Sequence, residues 1–338
     1  MRSPLFPLLG LLAACVAACS GASTDSTLPD SSGDADNPGG KADSPVDVGS
    51  IDIDHGNGAI ALPEVSGLAL RTFEGRLQML AIGDSELAVA IADVPSSVKP
   101  SELSFSLHDL GALFSTAPPS QWEAVAADPA GRLFLLEENP GAVYVVSPDL
   151  DSLLHTFDLR VESDGPDWKR ELAEDWGAES NSRGEGMALC AQGHLLVLKE
   201  KQQPCLVEFA PEGASPAGLS APLSEPFSLP ASAHSSLVPV RVWEFASSVR
   251  DVLPDMSDLF VDGTGRLYIV SGDGRAIGRV RESIDPSDDG KLHLDAAWKL
   301  PKEIANPEGL VLLDDEEPWV ASDSADDVNL FELDRIAP

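Results

Sequence analysis

The sequence is poor in basic residues and in cysteine. It has 22 Lys and Arg against 56 Asp and Glu, a formal net charge of -34, and only 4 Cys among 338 residues. This excess of negative charge repels phosphate backbones and so argues against nucleic acid as a partner. Only two of the cysteines, Cys190 and Cys205, lie beyond the first 48 residues, too few for a disulfide scaffold. Because 43% of the residues are hydrophobic, the chain can build a core, which excludes wholesale disorder.

The one long apolar run lies at the N-terminus. Arg2 is followed by apolar residues 5–14, a pattern typical of a secretory signal and too short to span a membrane stably. The sequence VAAC that ends at Cys19 resembles a bacterial lipobox, which predicts lipidation of Cys19. Cys15 is a second candidate, and an ordinary signal peptide is the alternative. We therefore assign residues 1–18 to a lipoprotein signal peptide.

The next segment differs sharply in composition from the rest of the chain. Residues 19–48 are mostly Ser, Asp, Gly, Pro and Thr and have little to bury, so we expect a disordered tether. The folded domain is then predicted over residues 49–338. With a lipid anchor before it, the protein is expected to be an exported bacterial lipoprotein, in the outer membrane, facing the periplasm or the cell exterior.

Five segments of this domain begin alike. The aligned positions lie 51 to 72 residues apart, a spacing that suits one four-stranded propeller blade each, and they are Ser66, Glu123, Glu185, Ser257 and Glu308. Each is followed by a short apolar strand, a tight turn and a second strand. Four of the turns contain a glycine, as hairpins with positive φ require: Gly75, Gly131, Gly193 and Gly265. The pattern predicts an all-β, five-bladed β-propeller. Six blades are the alternative, if residues 238–245 belong to a degenerate one.

Two further segments complete this prediction. The last repeat is short, and we expect residues 51–53 to supply its outer strand and close the ring. Trp168, Leu172 and Trp176 recur at helical spacing and predict a short helical insertion packed on the rim, with a ligand-gating lid as the alternative. Cys190 and Cys205 fall on strands that are not neighbours, so no disulfide is expected between them.

The repeat starts also carry a family resemblance. Over residues 60–336, four motifs resemble successive blade motifs of the SdiA-regulated (YjiK-like) family: EVSGL at Glu64, GEGMA at Gly184 with LKEKQQP at Leu198, DMSDL at Asp255, and NPEGL at Asn306. The resemblance implies a five-bladed propeller in an exported or envelope protein, akin to phytase-like propellers. It implies little chemistry, because most members have no known function. The chain departs from the motif at Asp258, where Gly is usual.

Each repeat carries two acidic positions in register. One row lies at the start of the first strand, and the other at the end of the second strand. Because these strands form a hairpin about 4.8 Å apart, we expect all ten carboxylates on one face, with the first row around the channel mouth. The first row is Glu64, Glu123, Glu185, Asp255 and Glu308, and the second is Asp84, Glu138, Glu200, Asp273 and Asp323.

Carboxylates this close repel one another and need compensation. Three explanations stay open: hydrogen bonds from the next blade's backbone that clip the blades together, a Ca²⁺ ion held by Glu123, Glu185 and Glu308, or a catalytic site. Lys199, Lys201, Arg183 and Arg275 are close enough in sequence to contribute.

The sequence favours a binding module over an enzyme. The leading hypothesis is a monomeric, lipid-anchored binding or scaffold propeller of the cell envelope, with Ca²⁺ at its acidic mouth and an unknown ligand or envelope protein as partner. The alternative is a calcium-dependent hydrolase, a phosphoesterase or lactonase of phytase-like type. Since a phosphate substrate needs basic groups, the ratio of Lys and Arg to carboxylates at the mouth discriminates between them.

Overall fold

The computed structural model describes residues 46–114, 120–178, 183–200, 203–219, 221–288, 290–324 and 328–336. The predicted signal peptide, Cys19, Lys201 and most of the predicted tether lie outside these residues. In the described part no helix has both the length and the apolar character needed to cross a membrane.

Most of the described chain forms short, consecutive strands. The first nine are β1 (Val48–Ser50), β2 (Ile53–Gly58), β3 (Val65–Phe73), β4 (Arg76–Gly83), β5 (Ala88–Asp93), β6 (Ser106–Asp109), β7 (Trp122–Ala127), β8 (Leu133–Glu137) and β9 (Ala142–Val146). They are followed by β10 (Leu153–Leu159), β11 (Gly186–Cys190), β12 (His194–Lys199), β13 (Cys205–Ala210), β14 (His234–Phe245), β15 (Asp258–Val261) and β16 (Leu267–Ser271). The last six are β17 (Ala276–Val280), β18 (Lys291–Leu292), β19 (Leu294–Lys299), β20 (Pro307–Leu313), β21 (Glu317–Ser322) and β22 (Leu330–Leu333). Helices α1 (Asp167–Asp175) and α2 (Ser247–Val252) interrupt this series, as do short 3₁₀ turns at Pro100–Glu102, Gly111–Leu113 and Ala191–Gly193.

The strands pair into antiparallel groups of four. One sheet has the order β3-β4-β5-β6, and another has β20-β21-β22-β2. The groups β7-β8-β9-β10 and β11-β12-β13-β14 are joined through the parallel pairing of β10 with β14, and β18 adds to β14. The group β15-β16-β17-β19 carries β1 as a parallel edge strand.

The first strand of each group faces the molecular axis. These strands contact one another in the cyclic order β3, β7, β11, β15, β20 and back to β3. They enclose a space that we call the central channel. The fold is therefore all-β and propeller-like, as the repeats predict.

Most of the predicted hairpins form as expected. All four turn glycines have positive φ, between 75° and 87°. Residues 238–245 lie within β14, the outer strand of its group, rather than starting a separate one. The prediction for residues 51–53 needs a correction. Ile53 begins β2, which pairs with β22, whereas Ile51 lies before that strand and is buried in the core beside Leu333.

Large side chains fill the spaces between neighbouring groups. Trp122, Trp243 and Trp319 are fully buried. The predicted helix forms as α1, in which Leu172 is buried, and the Trp176 ring just after it lies 5.3 Å from the ring of Phe209. Cys190 and Cys205 are both free thiols, as expected.

Candidate functional site

β-bulges mark the starts of three inner strands. In β3, β7 and β20 the pairing register shifts by one residue, so that Ser66, Glu123 and Glu308 are each an extra residue in the ladder. A bulge bends its strand and re-aims a side chain, and bulges are common beside functional sites. These three residues occupy aligned repeat positions. The same type of β-bulge therefore recurs at one end of the channel.

Backbone hydrogen bonds bring the second row of acids to the same end. In three groups the N–H that follows the second strand donates to a carbonyl just before the first strand. The accepting residues all have positive φ, between 45° and 52°. The pairs are Asp84 N to Glu64 O at 3.2 Å, Glu138 N to Gln121 O at 3.0 Å, and Asp323 N to Asn306 O at 2.9 Å.

The bulges and these backbone hydrogen bonds together form a cavity of about 220 Å³, which we call the acidic mouth. Seven of the ten predicted carboxylates line it, together with Val65 and Ser66. The seven are Glu64, Asp84, Glu123, Glu185, Glu200, Glu308 and Asp323. Among the described residues, neither Lys nor Arg lines this cavity.

The other three predicted carboxylates lie outside the lining. Glu138 is buried and accepts a hydrogen bond from the backbone N–H of Arg183 at 3.1 Å, so it links its own group to the segment that leads into β11. Asp255 accepts from Ser271 Oγ at 2.6 Å and from the backbone N–H of Asp273 at 2.9 Å. Asp273 itself is exposed. Glu138 therefore fits the explanation in which a backbone hydrogen bond from the next group clips two groups together. Asp255 does not, because both of its donors lie in its own group.

The basic residues near the mouth point to other partners. Lys199 is buried and lines a separate small cavity that also includes Cys205 and Glu244. Arg183 Nη1 donates to Glu138 O at 3.1 Å and to Asn139 Oδ1 at 2.9 Å. Neither they nor Arg275 belong to the lining of the acidic mouth.

Burial and mutual repulsion raise several carboxyl pKa values here. Burial, followed by repulsion from Glu123 and Glu200, raises the pKa of Glu185 well above its usual value. Burial raises the pKa of Glu308 to about 9, although a hydrogen bond from Ser257 acts in the opposite direction. At neutral pH the carboxyl group of Glu308 therefore holds a proton.

A second cluster of three acids lies at another part of the lining. Burial is the main reason that the pKa of Asp84 rises to about 6, and the charges of Glu64 and Asp323 add to it. Burial and the Glu64 charge raise the pKa of Asp323 as well.

Glu185 is the most unusual member of the lining. Its backbone N–H donates to Leu198 O at 2.9 Å, and the residue is only 7% exposed. In the same lining, Asp84 Oδ1 is a buried oxygen without a hydrogen-bond partner. Buried polar atoms normally have a partner, so the acidic mouth marks a place for one.

The carboxyl groups are of the right chemical kind for a hard cation, since Ca²⁺ binds six to eight oxygens in flexible geometry. Within the described residues, however, no three His, Cys, Asp or Glu side chains already converge as a metal site requires. A cation would therefore have to draw side chains of the lining together.

One residue further along the inner strands from the acidic mouth, the buried carboxylate of Asp258 closes the central channel. Asp258 Oδ2 accepts from Leu310 N at 2.9 Å and from Leu68 N at 3.5 Å, and its Oδ1 accepts from Leu259 N at 2.7 Å. Asp258 thus ties β15 to β20 and β3. We call this level the waist.

At the position aligned with Asp258, the two strands beside β15 carry a glycine, and the reason is steric. A Cβ on Gly186 would lie 2.9 Å from Leu259 N, and one on Gly309 would lie 2.6 Å from Leu68 Cγ. The inner strands approach too closely here for larger residues. Asp258, Ser66 and Ser257 were not among the predicted site residues, although the departure at Asp258 from the usual Gly is visible in the sequence.

No protein-family model matches the chain, and no curated protein matches it. Among solved structures, it is similar to the PQQ-bound aldose sugar dehydrogenase of Streptomyces coelicolor, with 13% identity and a TM-score of 0.44 over 86% of this chain and 99% of that one. It is also similar to calcium-binding regucalcin from Agrobacterium tumefaciens, with 13% identity and a TM-score of 0.44 over 85% and 94% of the two chains. A gluconolactonase from Xanthomonas campestris gives 13% identity and a TM-score of 0.42 over 86% and 97%. Values this low assign neither ligand nor activity, and the resemblance to the SdiA-regulated family stays a prediction.

Proposed function

We propose that this chain is a five-bladed β-propeller that binds Ca²⁺ at its acidic mouth and serves as a binding or scaffold module. Each four-stranded group would be one blade, and the cyclic contacts of β3, β7, β11, β15 and β20 support that count. In this proposal Cys19 carries the lipid anchor and the tether extends the propeller from the membrane, in the manner of an exported bacterial lipoprotein.

The observation that carries the cation proposal is the gathering of seven carboxyl groups in one cavity, where Glu185 is buried and Asp84 Oδ1 lacks a hydrogen-bond partner. Glu185, Glu123 and Glu308 would hold the ion, because electrostatic repulsion already couples these three acids. A divalent cation supplies the positive charge that no Lys or Arg of the described lining provides. It would replace the proton that Glu308 holds at neutral pH.

A second candidate function rests on the spread of pKa values in the mouth. Asp84 titrates near 6 and Glu308 near 9, and a pair of carboxyl groups with separated pKa values can act as general base and general acid. A neutral lactone fits this lining better than a phosphate ester, since a phosphate needs basic groups. This candidate requires calcium-dependent lactone hydrolysis that Asp84→Asn abolishes.

Thermal unfolding with Ca²⁺ or EDTA tests the cation proposal. A ligand that binds only the folded state stabilises it by about 2.7 kcal/mol at a hundredfold excess over Kd. We expect Ca²⁺ to raise the Tm of the wild-type protein and Glu185→Gln to abolish that rise. The control is Asp273→Asn, a repeat acid outside the mouth, which should keep it. A Tm that neither Ca²⁺ nor EDTA changes, in protein shown by metal analysis to be calcium-free, would refute the proposal.

A further inference from the structure

Beyond the waist, the other end of the channel opens into a second and larger cavity. It has a volume of about 500 Å³, within the range of about 300–1,000 Å³ that is usual for small-molecule pockets. Its walls are the later parts of β3, β7, β11 and β15, with apolar side chains such as Leu70, Val125, Met187 and Phe260. We call it the apolar pocket.

A segment from the long β13–β14 connection covers part of this pocket. We call residues 217–219 and 221–227 the strap, of which Leu219, Pro222 and Leu223 line the cavity. At its start, the N–H groups of Ala217 and Gly218 donate to the buried carboxylate of Glu208, at 2.7 and 3.2 Å.

The far end of the strap is fixed as well. The backbone of Phe227 donates to Asp128 Oδ2 at 3.0 Å and accepts from Arg132 Nη2 at 2.5 Å. A connection held at both ends forms a roof over the pocket rather than a free loop.

Two ionisable side chains line the pocket, and they differ in how well they are compensated. Asp128 pairs with Arg132 and also accepts backbone hydrogen bonds from Ala130 and Phe227, so its charge is balanced. Arg71 is 5% exposed and forms no ion pair with any described residue. Burial lowers its pKa, and the charge of the exposed Asp149 offsets this only in part. A buried cation that no adjacent carboxylate neutralises is costly, which makes Arg71 the recognition element of the pocket.

Neutral groups hold the Arg71 guanidinium in place. Arg71 Nε donates to Gln78 Oε1 at 2.8 Å, and Nη1 donates to the carbonyls of Gly131 and Pro148, both at 3.1 Å. Gln78 is itself oriented, because its Nε2 donates to Asp93 Oδ1 at 2.7 Å. These bonds use Nε and Nη1, so the two N–H groups of Nη2 are the donors left for a ligand.

We propose that the apolar pocket binds a small amphiphile with an apolar body and one carboxylate head group, which accepts hydrogen bonds from Arg71 Nη2. The apolar walls and the strap take up the body, and the carboxylate compensates the buried cation. The acidic mouth plays no part in this site, because the waist at Asp258 lies between them.

Calorimetric titration with decanoate and with decanol, in EDTA at neutral pH, tests the proposal on the full chain. The two probes share an alkyl chain and differ in head-group charge. We expect one decanoate per chain, bound about ten-fold more tightly than decanol because of the charge-assisted hydrogen bond. Arg71→Gln should bring decanoate binding down to the level of decanol. Leu223→Trp, which fills the pocket from the strap, should prevent binding of both probes.

The controls separate this site from non-specific uptake and from the acidic mouth. Glu185→Gln should bind decanoate like the wild type. If Arg71→Gln fails to fold, two results still test the proposal. They are the comparison of the two probes on wild-type protein and the effect of Leu223→Trp. No decanoate binding, equal affinity for decanol, or uptake of several molecules that Leu223→Trp leaves unchanged would each overturn the proposal.

Discussion

The central channel has one end where the inner strands begin and another where they finish. At the first, seven carboxyl groups line about 220 Å³, with no Lys or Arg among the described lining residues. At the second, about 500 Å³ is walled mainly by apolar side chains, with Arg71 as a buried charge that no adjacent carboxylate neutralises. The waist at Asp258 lies between the two cavities and spans about one residue of each inner strand.

This contrast arises from position along the same strands. Residues at the start of an inner strand follow a loop or occupy a bulge, so they can be acidic and reach the axis. Residues further along alternate between packed faces and must be apolar to fill the space between neighbouring groups. One repeat therefore produces two chemically opposite ends, one suited to a cation and the other to an amphiphilic anion.

Removing the waist should have the largest effect on this arrangement. Asp258→Ala leaves the buried N–H groups of Leu68, Leu259 and Leu310 without their acceptor, at a cost of about 1–3 kcal/mol each. We expect the free energy of unfolding to fall by about 4 kcal/mol in denaturant titrations. Asp273→Ala, at an exposed acid, should change it by less than about 0.5 kcal/mol. Equal small effects at both positions would show that the waist does not hold the two ends apart.

A change of pH should act on the acidic mouth through Glu308. The pKa of Glu308 rises from its usual 4.5 to about 9 on folding, so the folded state binds its proton more tightly. Stability is then complete below the unfolded pKa and is lost as the pH rises through the folded pKa. For the metal-free protein we expect the free energy of unfolding to fall between about pH 5 and pH 9.

Glu308→Gln should flatten that pH dependence, whereas Asp273→Asn should leave it unchanged. Denaturant titrations at several pH values in EDTA measure both. A slope of the same size in Glu308→Gln would place the responsible groups outside the mouth.

Loosening the strap should affect only the apolar end, and by a smaller amount. Glu208 accepts from His194 Nδ1 at 2.6 Å as well as from the strap, so Glu208→Gln weakens charge-assisted bonds without removing the side chain. We expect a loss of about 1–2 kcal/mol and faster proteolysis within the strap. The calcium-induced rise in Tm should persist in this variant. If that rise disappeared, the two ends would be coupled.

Features with a local cause were predictable from the sequence. The hairpins follow from alternating apolar residues and turn glycines such as Gly131, and α1 follows from the spacing of Trp168 and Leu172. Seven of the ten repeat acids line one cavity because strand starts and strand ends meet within each hairpin. The bulges at Glu123 and Glu308, by contrast, leave no clear local signal.

Features that depend on contacts distant in sequence were not predictable. Asp255 faces its own turn, since Ser271 Oγ and Asp273 N are within hydrogen-bond reach. Two of the three bonds of Asp258 join β15 to strands on either side of the ring closure, which no repeat alignment reveals. The strap lies over the channel only because Glu208 and Asp128 hold it there.

The central claim is that the acidic mouth exchanges protons for a divalent cation, and calorimetry of Ca²⁺ binding tests it most directly. Titrations at about pH 7 in two buffers with different ionisation enthalpies count the protons released per bound ion, because Glu308 is protonated beforehand. We expect one Ca²⁺ per chain with net proton release in the wild type, weaker binding in Glu185→Gln, and less proton release in Glu308→Gln. Absence of Ca²⁺ binding, or binding without proton release that Glu185→Gln leaves intact, would contradict the claim.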